Sequence, residues 1–457
     1  MSASHVRALF GQRILWCPLS KGGSHLSENE LEPYRQVGDP CVDDLLERLH
    51  QEGSPLRAGG DLLELIEGIE RGDDTTLSLD LQKDLIAFIA RYRTVPEWVN
   101  VEQLQRGRNV FLAYTPAMGA ALYYRSLVPG FSIPNIAAVI QSTGYLTSNQ
   151  VATRLMDTGA LLTSCMTGGI STLFAGGSGW KAALYVRILH AKVRRALLKR
   201  ENKKWDTNRL GVPINQEDMA ATLLAFSVNA LVGVEFVAGL AISPQEQLDY
   251  LALWRYIGWL LGVHTVTDEA YSGKQQLRPL DPCGTGWFAR GDPIVHSRSI
   301  LMSIIFHLMK PDESSILVAN HLLKIGRSKN QDESLQEENK RIAWFYFRSL
   351  QCRRFIGDPL ADALQLPRHN IWWMRWLIFS VSTLYLSLLR MYTLAAILCP
   401  SAKRRIQRWH LDSMTRFHEN WLKSHRTRMA EALRKAKGQA ETPESCCPFA
   451  MVSPPNY

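Results

Sequence analysis

Residues 180–200, WKAALYVRILHAKVRRALLKR, and residues 205–227, WDTNRLGVPINQEDMAATLLAFS, decide how this chain is read. The first stretch has helical spacing and puts Arg187, His190 and Arg194 at i−3, i and i+4, so the three project from one side. An imidazole with a guanidinium one turn to either side suits a dianionic, metal-containing ligand. The ring nitrogen would bind the metal and each guanidinium a carboxylate. The second stretch carries a helix start: Pro213, then Asn215 as N-cap, then acidic Glu217 and Asp218 in the first turn. Thr222 is a lone hydroxyl there among Leu223, Leu224 and Phe226. Spacing alone leaves a second reading open. A single histidine in an amphipathic helix is more often a satisfied core or surface residue, and arginines at a helix end suit solvent and the C-terminal dipole. No HExxH, Glu-x-x-His pair or CxxC offers a different metal site.

Composition bounds the class. With 457 residues, 46% hydrophobic and 21% charged, the chain can bury a large core and is not of the disordered type. Its +9 formal charge is concentrated: residues 401–437 hold eleven Lys/Arg against three Asp/Glu. The remainder is close to neutral, so a nucleic-acid reading would rest on the tail alone, and none is expected. Eight cysteines lie scattered without a framework, which predicts reduced thiols in a chain facing the cytosol. The N-terminal MSASHVRALFGQRILWCPLS has no apolar run long enough for a signal peptide, so a secreted product is not expected.

Outward from the opening stretch, helical patterns dominate. DLLELIEGIERG reads as a helix from Asp61 stopped by Gly72, Leu81–Tyr92 as another closed by Pro96, and residues 101–128 as a longer one bent near Pro116. VATRLMDTGALLTSC places Arg154, Asp157 and Thr158 on one helix side, where an Arg–Asp pair at i,i+3 could equally be a surface ion pair. The Gly-rich residues 168–179 lack GK[ST] and read as a turn into the His190 helix. Ser243 caps a helix whose first residue is Pro244, with Gln247 near the capping-box position, and Tyr250, Trp254, Tyr256 and Trp259 are predicted core. His264 beyond its end is the second histidine to weigh as an axial ligand. Few stretches alternate with period two, so the fold class is all-α.

LYVRILHAKVRR followed by GVPINQEDMAATLLAFS resembles the core of the rubber oxygenase (latex clearing protein) family, whose fungal relatives include ER-bound oxygenases of mycophenolic acid biosynthesis. The resemblance covers roughly residues 112–367. It implies a globin-like helical core around a haem b, with His190 as the proximal iron ligand and Arg187, Arg194 and Thr222 holding the cofactor. RLMDTGALL resembles the family's distal helix through Arg154 and Thr158. Rubber-cleaving members carry a lysine where this chain has Asp157, and a distal glutamate without a counterpart here. Asp157 is therefore the expected distal acid or base, with Arg154 and Thr158 orienting it or bound dioxygen. The implied activity is oxygenation of an apolar, isoprenoid-bearing small molecule with C=C cleavage to carbonyl products, in fungal secondary metabolism.

Residues 371–399, IWWMRWLIFSVSTLYLSLLRMYTLAAILC, are the most hydrophobic stretch. Fourteen uncharged residues separate Arg375 from Arg390, short of the ~20 that span a bilayer. The stretch reads either as a closing core helix or as a membrane-associated one. The basic tail after it, with Trp409 and Trp421, suits an anionic membrane surface via residues 401–437, at the cytosolic face of the endoplasmic reticulum. Cys446 and Cys447 offer a weak acylation signal. The expected division is a helical extension over 1–100, the oxygenase domain over 101–400 and the tail over 401–457. The competing reading is a non-catalytic, membrane-peripheral helical protein recruited by that tail.

Overall fold

The structure is a computed structural model that describes residues 8–9, 12–13, 25–54, 56, 61–73, 76–143, 148–201, 204–265, 277–284, 291–324 and 335–438. Ala8–Leu9 (β1) pairs antiparallel with Gln12–Arg13 (β2), and every other regular element among the described residues is helical. In chain order these are α1 (Glu28–Arg35), α2 (Pro40–Gln51), α3 (Asp61–Arg71), α4 (Leu79–Arg93) and α5 (Val101–Ala120). A π-helical stretch, Ala121–Leu127, leads into α6 (Val128–Gly130), α7 (Pro134–Ser142) and α8 (Ser148–Met166). After a single 3-10 turn, Ile170–Leu173, come α9 (Ser178–Leu198), α10 (Thr207–Leu210), α11 (Gln216–Phe226), α12 (Val228–Ala238) and α13 (Pro244–Leu260). The chain closes with α14 (Pro293–Leu308), α15 (Glu313–Leu323), α16 (Leu335–Ile356), α17 (Asp358–Ala363), α18 (Trp372–Leu398) and α19 (Pro400–Gly438).

Local chemistry sets these ends. Ser27 and Glu30 form a capping box on α1, and the side chains of Ser78 and Asn100 cap α4 and α5. Ser243 caps α13, but its reciprocal partner is Glu246; Gln247 instead donates to the Ile242 carbonyl. Helix α5 is bent at Tyr114, two residues before Pro116, whose missing N–H interrupts the ladder.

The core is continuous from Leu31 in α1 to Ala396 in α18, so the helices before residue 100 share it. At its centre α5 packs on α13, α12, α18 and α19; α9 packs on α8 and α2; and α1 lies on α11 and α14. The predicted aromatic core of α13 is there, with Tyr250, Trp254, Tyr256 and Trp259 all buried and Trp259 tilted against Tyr92 of α4. The five described cysteines are free thiols.

Candidate functional site

Helix α9 carries His190, and the glycines before it let it start. Gly168, Gly169 and Gly176 adopt positive φ, and a Cβ on Gly177 would meet the Thr172 carbonyl oxygen at 2.4 Å. The indole of Trp180 donates to the Tyr92 carbonyl at 2.7 Å and fixes the first turn. His190 is half-buried with its Nδ1 inside.

The two arginines flanking His190 bind carboxylates of the chain itself. Arg187 donates through Nε and Nη2 to Asp39 at 2.5 and 2.9 Å, and its guanidinium lies 4.5 Å over the Tyr92 ring. Arg194 donates to Asp43 at 2.5 Å and to the carbonyls of Pro213 and Ile214 at 3.0 and 2.8 Å. Their side chains keep 2% and 3% of their surface. Through these bonds they hold α9 on α2. Arg195 and Lys199 continue the pattern on Glu47. An acidic ladder at 39, 43 and 47 thus meets a basic one on α9. Burial pushes the Asp43 carboxyl up to about 6 against the pull of Arg194, with Asp39 adding repulsion.

Helix α11 begins as expected, with the Asn215 side chain accepting from the Asp218 N–H. Its acidic first turn, however, is buried. The Asp218 carboxylate accepts from Asn135 and Asn215 at 3.1 and 2.9 Å, and burial, then the neighbouring Glu217, push it up to about 8. Glu217 contacts His307 at 2.7 Å and is raised by burial too. Ile214 is held at φ 52°, a strained conformation for a β-branched residue, where its carbonyl meets Arg194. Gln216 bridges Gly38, Gly262 and the His264 N–H. Thr222 is exposed although Met219 to Ala221, Leu223 and Leu224 around it are buried, and its hydroxyl donates to the Asp218 carbonyl.

On α8, Asp157 is exposed and Thr158 half-buried; the Arg154 side chain lies outside the described residues. A residue that touches a bound cofactor keeps surface for it when the cofactor is absent. His190, Thr222, Thr158 and Asp157 do so, whereas His264 keeps only 2%. Among the described residues no three His, Cys, Asp or Glu side chains converge to hold a metal ion. One imidazole with surface available fits a metal whose other ligands come from a macrocycle. Sequence reasoning missed Asp39, Asp43 and Gln216; the i, i+4, i+8 spacing of Asp39, Asp43 and Glu47 opposite an Arg-rich helix was the available signal.

Residues 104–271 match the family described as ER-bound oxygenase mpaB/B'/rubber oxygenase, catalytic domain. A solved structure of latex clearing protein in the closed state superposes with a TM-score of 0.53 at 16% identity, over 86% of this chain and 96% of that one. The chain therefore has the fold of that protein, and the all-α expectation holds. No curated protein matches it.

Proposed function

We propose that this chain, which carries the mpaB/rubber oxygenase catalytic domain, is a haem b-dependent oxygenase acting on an apolar, isoprenoid-bearing small molecule. The match over residues 104–271 supports an oxygenase that uses dioxygen on a small substrate. Haem dependence, cleavage of a C=C bond to carbonyl products and a place in fungal secondary metabolism are our reading. The observation that carries it is His190. It keeps accessible surface in the middle of a helix that two arginines pin to α2.

With Nδ1 buried, Nε2 of His190 would be the nitrogen for iron, and Thr222 would supply a hydroxyl toward the cofactor. Haem supplies the dioxygen chemistry when bound. The chain's own part would be to hold the half-buried imidazole fixed through Arg187–Asp39 and Arg194–Asp43, and to offer Asp157 as proton acceptor or donor, oriented by Arg154 and Thr158. The basic tail over 401–437 would face an anionic membrane at the cytosolic side of the endoplasmic reticulum.

A visible spectrum of the purified chain tests the reading at once. A Soret band is expected, and His190→Ala should lose it with little change in helix content. A colourless, folded wild type would return the chain to the membrane-peripheral, non-catalytic reading. A haem-loaded His190→Ala would move the ligand, first to His264.

A further inference from the structure

Helix α18 wears its apolar side outward. Ile378, Ser382, Leu389, Thr393 and Ala396 form its buried stripe, and it packs on α5, α12 and α16. A second stripe about a third of a turn away, Leu377, Val381, Leu384, Leu388 and Met391, repeats every three to four residues, and each member is exposed. Trp372, Trp373 and Trp376 stand exposed at its first turn. Twenty-seven residues reach about 40 Å, enough to cross a bilayer. The helix is nonetheless fastened along its length. Arg354 of α16 donates to Ser382 and Thr383 at 2.8 and 2.9 Å, Tyr385 meets Phe347 edge-on, and Tyr392 bonds His410 of α19 at 3.0 Å. Arg390, the charge that a spanning helix would bury in lipid, lies back against Gly239 at the C-terminal end of α12, where a Cβ would meet its guanidinium at 2.6 Å.

We propose that α18 docks in the plane of a lipid bilayer, immersing this outward stripe among the acyl chains while the body of the protein stays on one side. The partner is a membrane and not a second copy of the chain for two reasons. The exposed apolar arc, with Trp372, Trp376 and Phe379 beside the stripe, is wider than a two-helix seam. Cationic groups also follow it directly: α19 starts two residues beyond α18 and exposes Arg404, Arg405, Arg408 and Trp409, the residue types that settle at anionic headgroups. The inference deepens the membrane reading given above by naming the surface and the mode. It is independent of the haem.

Flotation of the full chain with phosphatidylcholine vesicles, with and without phosphatidylserine, tests it. The wild type should float with both, and Leu384→Glu/Leu388→Glu should bind at least tenfold less to both while keeping its melting temperature. Arg404→Glu/Arg405→Glu/Arg408→Glu should lose only the preference for phosphatidylserine. If the double glutamate variant floats like the wild type, α18 is not the surface and the tail alone recruits the chain. If the wild type floats with neither, the membrane reading fails as a whole. A dimer in solution split by the glutamates would then give the stripe to a second copy. On intact microsomes, trypsin should remove tags from both termini together; protection of one terminus alone would make α18 a spanning helix and overturn in-plane docking.

Discussion

Arg187 and Asp39 form a two-point ion pair, 2.5 and 2.9 Å long, with 2% of either side chain left accessible. It joins the helix of His190 to the cap of α2 across 148 residues of sequence. Removing one partner strands a buried charge. Asp39→Asn should cost ~3–5 kcal/mol of stability and weaken haem retention. Asp39→Leu/Arg187→Met together should cost less than either alone. Thermal or denaturant unfolding of the four proteins in the cycle decides it; additive losses would show that the pair is not coupled.

Asp218 gives a pH dependence. Burial lifts its carboxyl from 3.8 to about 8, so the native state binds this proton more tightly than the unfolded chain does. Stability from this group is present below the unfolded value and is lost as pH climbs toward about 8, at up to ~1.4 kcal/mol per pH unit. The raised pKa values of Glu217 and Asp43 act in the same direction. Melting temperature should therefore fall steadily between about pH 5 and pH 8, with a shallower slope in Asp218→Asn. An unchanged slope in that variant would assign the effect to the other carboxyls.

Arg108 is buried on α5, with Nε and one Nη lacking a hydrogen-bond partner among the described residues, and desolvation lowers its pKa. Arg108→Met keeps much of the packing volume and removes a desolvated, unpaired cation, so it should raise the stability of the ligand-free protein by ~1–3 kcal/mol. Destabilisation on calorimetry would mean that the guanidinium is satisfied in solution.

Asp157 stands exposed on α8, one residue before the half-buried Thr158. Asp157→Asn should keep haem content and lower turnover per haem by ~10²–10⁴-fold, the usual worth of a general acid or base. Single-turnover rates on a recognised substrate measure it, and full activity per haem would leave the residue with a structural part only.

Helix type and order were legible because periodicity and caps are local: Asn215, Ser243 and the bend near Pro116 could be read directly, and each is where the pattern put it. The partners of the arginines were not. A cation on a helix face reads the same whether it meets a ligand or another helix, and Asp39 and Asp43 lie some 150 residues away in sequence. Glu217 and Asp218 looked like solvated N-terminal charges for the same reason, since nothing local reports that Asn135 and His307 close over them. Residues 371–399 defeated a choice between core and membrane because one stripe of α18 is buried while the rest of its apolar surface is exposed.

The acidic ladder on α2 also settles what can be cut away. A fragment trimmed to the matched residues 104–271 would leave Arg187 and Arg194 without Asp39 and Asp43, and α9 without the surface it rests on. The matched region is therefore not a transplantable module in this protein. Chimeras that exchange it between relatives should carry α1 and α2 along, or bring matching carboxylates on whatever replaces them.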